Sequence, residues 1–158
     1  MEDIICNKFE NDMYELLDSM GCVYLGAGYS RRVYTYGEDK VIKIARANHS
    51  MYRTVGIEAN LKELELWTEA SENEEFKDIR EWLAPTISIS DGGLSLIQMK
   101  TEPLPDDMCL PTKVPNWITD LKRENCGMLD GEIVFHDYAL TLCNINSFRK
   151  HRLVKAHW

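Results

Sequence analysis

Apolar side chains at Phe9, Met13, Leu16, Leu17 and Met20 recur at the three- and four-residue spacing of one helical face, with Gly21 placed to cap its end. The pattern predicts a helix over residues 8–20, within an N-terminal segment 1–21. The period then changes. Residues 22–25 and 32–36 read as two strands around a glycine-bearing turn, and 41–45 as a third strand after the turn 37–40, which makes an antiparallel meander. From Gly56 to Ala70, the side chains Ile57, Leu61, Leu64, Leu66 and Trp67 restore a helical stripe. The acidic stretch 71–80 follows as loop or second helix. Residues 86–89 and 94–99 give two more strands, joined at Asp91-Gly92-Gly93, a tight-turn sequence.

Regular structure then breaks off. Four prolines between Thr101 and Pro115 mark a hinge or linker. After it the pattern predicts a short helix near 116–121, a loop around Asn125, a hairpin turning at Asp130-Gly131, and a basic tail (Phe148-Arg149-Lys150-His151-Arg152-Leu153-Val154-Lys155) read as a solvated terminal segment. The fold class is α+β: a five-stranded antiparallel sheet with one packed helix in residues 22–100, a linker at 101–115, and a short remainder at 116–158.

Composition narrows the partners. At 158 residues, with 44% apolar and 28% charged side chains, the chain has the makeup of one ordinary globular domain. A net charge of -8 argues against nucleic-acid binding, which needs lysine and arginine to displace counterions. The five cysteines form no CxxC pair and are odd in number, as expected of free thiols in a reducing cytoplasm. The longest apolar runs are strand-sized, so neither a membrane span nor a signal peptide is expected.

Three short stretches carry candidate chemistry. In Leu25-Gly26-Ala27-Gly28-Tyr29-Ser30, glycines without a Cβ would let main-chain N–H groups approach phosphate oxygens, although an ordinary hairpin accounts for them equally well. Lys43 lies between Ile42 and Ile44, and an amine in an apolar strand needs either solvent or an anionic partner. Glu58, Glu63 and Glu65 on the following helix are the candidates. Glu63 and Glu65 sit about 200° apart around a helix, so at most one of the two can face the lysine. Asp120-Leu121-Lys122-Arg123-Glu124-Asn125 and then His136-Asp137-Tyr138-Ala139 place two aspartates and an asparagine where a helix end and a hairpin with surface acids would also be ordinary.

Taken in order, these stretches resemble the protein-kinase-like superfamily over roughly residues 20–142, most nearly the minimal kinase-like proteins encoded by phages and prophages. Gly26, Gly28 and Val33 resemble the glycine-rich loop, and Lys43 lies 15 residues after Gly28, close to the family's phosphate-contacting lysine. Asn60-x-x-Glu63-x-x-x-Trp67 looks like the helix that supplies the lysine's partner, which singles out Glu63. Met99 and Thr101 flank a hinge whose main chain would read the adenine edge, with Leu25, Val33 and Val41 as apolar cover. Asp120 would orient the attacking hydroxyl, and Asn125 and Asp137 would hold magnesium. The sequence departs from the family at Arg31, in the place of the third glycine. It departs again at Ile118-Thr119, where a histidine or tyrosine and an arginine usually precede the aspartate, and at Tyr138-Ala139, in place of Phe-Gly.

The resemblance implies ATP and Mg²⁺ as cofactors and two candidate functions. One is a phosphotransferase that moves the ATP γ-phosphate to a protein hydroxyl. The other is an inactive kinase-like binding module, such as a phage-made inhibitor of a host protein, working in the host cytoplasm. About 20 residues separate the hinge from Asp120 and about 20 follow Asp137, too few for a full second lobe. The expectation is therefore that Trp117, Tyr138, Phe148 and Trp158 are left uncovered and open to a partner or to self-association.

Overall fold

The computed structural model describes residues 2–139, 150 and 152–158. The chain divides into two compact units, Met1–Leu64 with Thr86–Lys100 and Glu65–Pro85 with Thr101–Trp158. The residues expected to form a single 22–100 lobe are thus shared: 65–85 belong to the second unit.

The first unit contains α1 (Glu2–Ser19), β1 (Tyr24–Ala27), β2 (Arg31–Tyr36), β3 (Lys40–Ala45), the first part of α2 (Ser50–Glu72), β4 (Thr86–Ile89) and β5 (Ser95–Met99). Its five strands form one antiparallel sheet in the order β1-β2-β3-β5-β4. Cross-strand partners share a face. Val33, Lys43 and Leu96 are opposite one another and point one way, whereas Tyr34, Ile42 and Ile97 point the other way. On the second face Leu17 of α1, with Met13 and Tyr14, packs against Tyr34, Ile42 and Ile44. The first face receives Asn60 and Glu63 of α2. Two helices pack on the sheet where the pattern predicted one, because both faces of β3 bury side chains and each needs a cover. Helix α2 also starts at Ser50, ahead of the apolar stripe that marked its expected beginning at Gly56.

The second unit has its own core. Leu66 and Ala70 from the end of α2, Phe76, Ile79 of α3 (Lys77–Arg80) and Leu83 pack with Leu104, Val114, Trp117, Ile118, Phe135 and Tyr138. Strands β7 (Cys126–Leu129) and β8 (Glu132–Phe135) form the expected hairpin. Asp130 (φ 51°) and Gly131 (φ 87°) both adopt the left-handed conformation that a two-residue hairpin turn requires.

Three expectations for this region are corrected. Residues 116–121 are turn and irregular chain, not helix, and the nearest helical turn is the 3₁₀ segment Arg123–Asn125. The basic tail is not simply solvated: β9 (Leu153–Lys155) pairs antiparallel with β6 (Lys113–Pro115) inside the segment read as linker. Trp117 and Tyr138 are 3% and 1% exposed, and the Tyr138 hydroxyl donates to the Ala84 carbonyl. These two aromatic residues therefore cannot form an open partner or self-association patch. Phe148 lies outside the described residues, and the half-exposed Trp158 donates its indole N–H to the Pro111 carbonyl.

Among the described residues no helix is long and apolar enough to cross a membrane. Cys22, Cys109 and Cys126 are free thiols. Burial pushes the Cys126 thiol up to about 12, while Cys109 is exposed. At pH 8 iodoacetamide should modify Cys109 and leave Cys126 intact until the protein unfolds, as read by peptide mass mapping. Because the folded value lies above the unfolded one of about 8.5, the contribution of this thiol to stability is complete below that pH and fades as pH rises toward 12.

Candidate functional site

In the first unit Lys43 is buried at the centre of β3, with 4% of its side chain exposed. Alternation turns it away from Ile42 and Ile44 and toward α2, where its Nζ meets Glu63 Oε2 at 2.7 Å. Glu63 is fully buried, while Glu58 and Glu65 are on exposed positions of the helix. The other oxygen of Glu63 accepts from Arg31 at 2.8 Å, and Arg31 also donates to Asn60 Oδ1 at 3.2 Å. Asn60 in turn donates to the Gly93 and Leu94 carbonyls. One carboxylate therefore bridges two buried cations from two strands, and an asparagine one helical turn away ties the assembly to the β4–β5 turn.

The remaining expected residues of this unit surround that centre unevenly. Val33 is the cross-strand partner of Lys43, and Val41, two residues along β3, is buried on the same face. Met99 pairs with Lys40, so its side chain lies on the opposite face, and Leu25 is half exposed. Gly26 and Gly28 have no neighbour within 4 Å of where a Cβ would stand, and neither has a positive φ. The hairpin does not need glycine at either position for conformation or packing. The Gly28 N–H itself bonds to the Arg31 carbonyl.

In the second unit Asn125 is bonded both to Asp120 and to the main chain at Asp137. Asn125 Nδ2 donates to the Asp120 main-chain carbonyl at 3.0 Å and to its carboxylate at 2.9 Å. Lys122 closes an ion pair with Asp120 at 2.9 Å. The Asp120 carboxylate, first by hydrogen bond and then by charge, holds the Lys122 ammonium above its ordinary value, and Asp137 adds to the effect. The Asn125 main-chain carbonyl accepts from the main-chain N–H groups of His136 (2.9 Å) and Asp137 (3.4 Å), which ties the main chain at the two expected metal ligands together. His136 is fixed from both ring nitrogens, to Thr101 Oγ1 at 2.8 Å and to the Glu124 carbonyl at 2.9 Å. Thr101, expected at the hinge, thus helps hold the strand end that carries Asp137.

Magnesium takes hard oxygen ligands and is usually held by one or two protein groups plus phosphates. With Asn125 Nδ2 committed to Asp120, the amide oxygen and the Asp137 carboxylate are the donors that would hold it. Among the described residues no three His, Cys, Asp or Glu side chains cluster as an all-protein metal cage.

Sequence reasoning missed two contributors. Arg31 is one of two adjacent arginines, and only the register of β2 shows which of them is inside. His136 looked like a neighbour of Asp137, whereas its ring bonds pin that aspartate's main chain. Asn60 stood in the helical motif beside Glu63, and its i, i+3 spacing already put the two on one face. Neither a family model, nor a curated protein, nor a solved structure matches this chain.

Proposed function

We propose that the chain is a kinase-like phosphotransferase that binds ATP with magnesium and transfers the γ-phosphate to a protein hydroxyl. The observation that carries this reading is the buried Lys43–Glu63 ion pair, formed between an apolar strand and the helix that follows it. A buried pair is a poor source of net stability, since desolvation offsets most of its attraction. Its use is better sought in presenting a fixed ammonium to an anion. The unhindered Gly26 and Gly28 and the bonded Asp120–Asn125 pair add support.

In this mechanism Lys43, held by Glu63, binds a phosphate oxygen and keeps the chain of phosphates in one orientation. Asp120, itself oriented by Asn125 and Lys122, accepts a hydrogen bond from the attacking hydroxyl and takes its proton as the oxygen bonds to the γ-phosphorus and the bond from that phosphorus to ADP breaks. Asn125 and Asp137 would hold magnesium, which when bound neutralises charge on the phosphates.

Thermal unfolding with ATP and Mg²⁺ tests the binding half. At a hundredfold excess over Kd, the ligand should stabilise the protein by about 2.7 kcal/mol. Asp137→Ala should abolish the magnesium-dependent part of that shift. Asp120→Asn should keep the shift and lose transfer of labelled phosphate, because its carboxylate is needed only when chemistry occurs. No ATP-dependent shift in the wild type would remove the nucleotide reading and leave the kinase-like binding module.

A further inference from the structure

On the sheet face opposite Lys43, the first unit carries a concavity of about 450 Å³ lined by Tyr14, Tyr24, Ala27, Arg32, Tyr34 and Arg46. It draws on α1, β1, β2 and the chain just after β3, and none of the residues of the proposed phosphotransfer site lines it. The two arginines are in different situations. Arg32 lies 4.3 Å from the centre of the Tyr14 ring and meets Glu10 at 3.4 Å, and Glu10 also accepts from the Tyr14 hydroxyl. Its charge is therefore neutralised within the fold.

Arg46 is not neutralised in this way. Its main-chain N–H bonds to Ser30, and its guanidinium lies 5.4 Å from the centre of the Tyr52 ring. No carboxylate among the described residues pairs with it, and its Nε is buried without a hydrogen-bond partner. A buried donor with nothing to donate to costs stability, whereas the rest of this partly exposed guanidinium can be met by an acceptor from outside the chain. Guanidinium donors match the paired oxygens of a phosphate or carboxylate better than any other anion geometry. Apart from Ala27, the rest of the lining is aromatic: Tyr24 and Tyr34 meet edge to face at 5.4 Å, and Tyr24 is 53% exposed. Flat rings of this kind offer surfaces for another ring, and a volume of this size suits a small molecule.

We infer that this concavity binds a small aromatic molecule carrying a phosphate, with the phosphate on Arg46 and the ring against Tyr24 and Tyr34. The site is separate from the proposed nucleotide chemistry and does not depend on it.

Titration of the full chain with phenyl phosphate, inorganic phosphate and phenol, followed by calorimetry and thermal unfolding, tests the assignment. Phenyl phosphate should bind most tightly, inorganic phosphate more weakly and phenol not measurably. Arg46→Met should weaken phenyl phosphate binding by about tenfold or more, as loss of a charged hydrogen bond does. Without ligand, the variant should unfold at the same or a higher temperature than the wild type. A purely structural Arg46, held by its ring contact, would instead lower that temperature. Tyr24→Ala, at a half-exposed position, should remove the preference of phenyl phosphate over inorganic phosphate and leave inorganic phosphate binding unchanged. The inference is overturned if the wild type binds none of the three probes, if Arg46→Met binds phenyl phosphate as the wild type does, or if Tyr24→Ala keeps the full preference.

Discussion

Replacing Glu63 with alanine should destabilise the protein by about 3–5 kcal/mol, the usual cost of removing one partner from a buried ion pair. The effect should be at the upper end because this carboxylate serves two cations. Its oxygens hold Arg31 at 2.8 Å and Lys43 at 2.7 Å, on side chains that are 8% and 4% exposed. Both would be left buried without it. Glu63→Gln keeps the shape and one acceptor, so it should be milder than alanine while still removing the charge. Changing Lys43 to methionine in the Glu63→Ala background should recover part of the loss, since one buried charge that has lost this carboxylate disappears. Urea unfolding midpoints with unchanged slopes would measure all three. A loss below about 1 kcal/mol for Glu63→Ala, the range of exposed pairs, would show that water reaches the cluster. ATP response should fall with the same substitution, and only that second readout bears on the proposed function.

Gly56→Ala provides a test in which two physical effects have opposite signs. Helix propensity alone predicts a gain of about 1 kcal/mol for replacing a mid-helix glycine by alanine. Gly56, however, sits where α2 crosses the sheet. A Cβ there would stand 2.6 Å from the Ser30 carbonyl oxygen, 2.7 Å from Ala45 Cβ and 2.9 Å from Ala45 Cα. Two of these atoms are main chain and the third is fixed to it, so no side-chain rotation relieves the overlap. The expected result is a net loss of about 1–3 kcal/mol, typical of overpacking. A measured gain would mean that α2 can move away from the β2 hairpin at little cost. The substitution should also weaken the Lys43–Glu63 contact, because Glu63 lies two turns further along the same helix.

The sheet was legible because its strands announce themselves by alternation and its turns by glycine. Gly37 (φ 67°) and the Asp130-Gly131 pair are where the chain reverses. The start of α2 was not legible, since Gly56 looked like a boundary rather than a point of close approach. Trp117, Ile118 and Leu121 have a spacing that suits a helix, yet the main chain there is satisfied otherwise. Asn116 N–H bonds to the Arg152 carbonyl and Ile118 N–H to the Pro115 carbonyl. The first is a long-range bond, invisible in local periodicity, and the same holds for β9, whose three residues gain their structure from β6. Of the candidate site, strand alternation drew attention to Lys43 but left three glutamates open as its partner, and the resemblance of the Asn60–Trp67 helix, not spacing, singled out Glu63. Neither could show that Arg31 shares the same carboxylate, which depends on the register between β2 and β3.

The order in which the two units take up the chain restricts how the protein can be cut and how it can be made. A fragment ending at Lys100 would hold every strand of the first sheet, yet would expose Leu66, Ala70, Phe76, Ile79 and Leu83 to water, each no more than 3% exposed in the whole chain. A fragment beginning at Thr101 would lack those same side chains from its core. Neither half can be excised between Lys100 and Thr101 as a contiguous piece with its core intact. During synthesis the first sheet can close once residue 99 has left the ribosome. The five apolar side chains from 66–83 must then wait for Val114, Trp117, Phe135 and Tyr138 to emerge. A nascent chain paused between those points is the stage at which a holdase chaperone should bind most strongly.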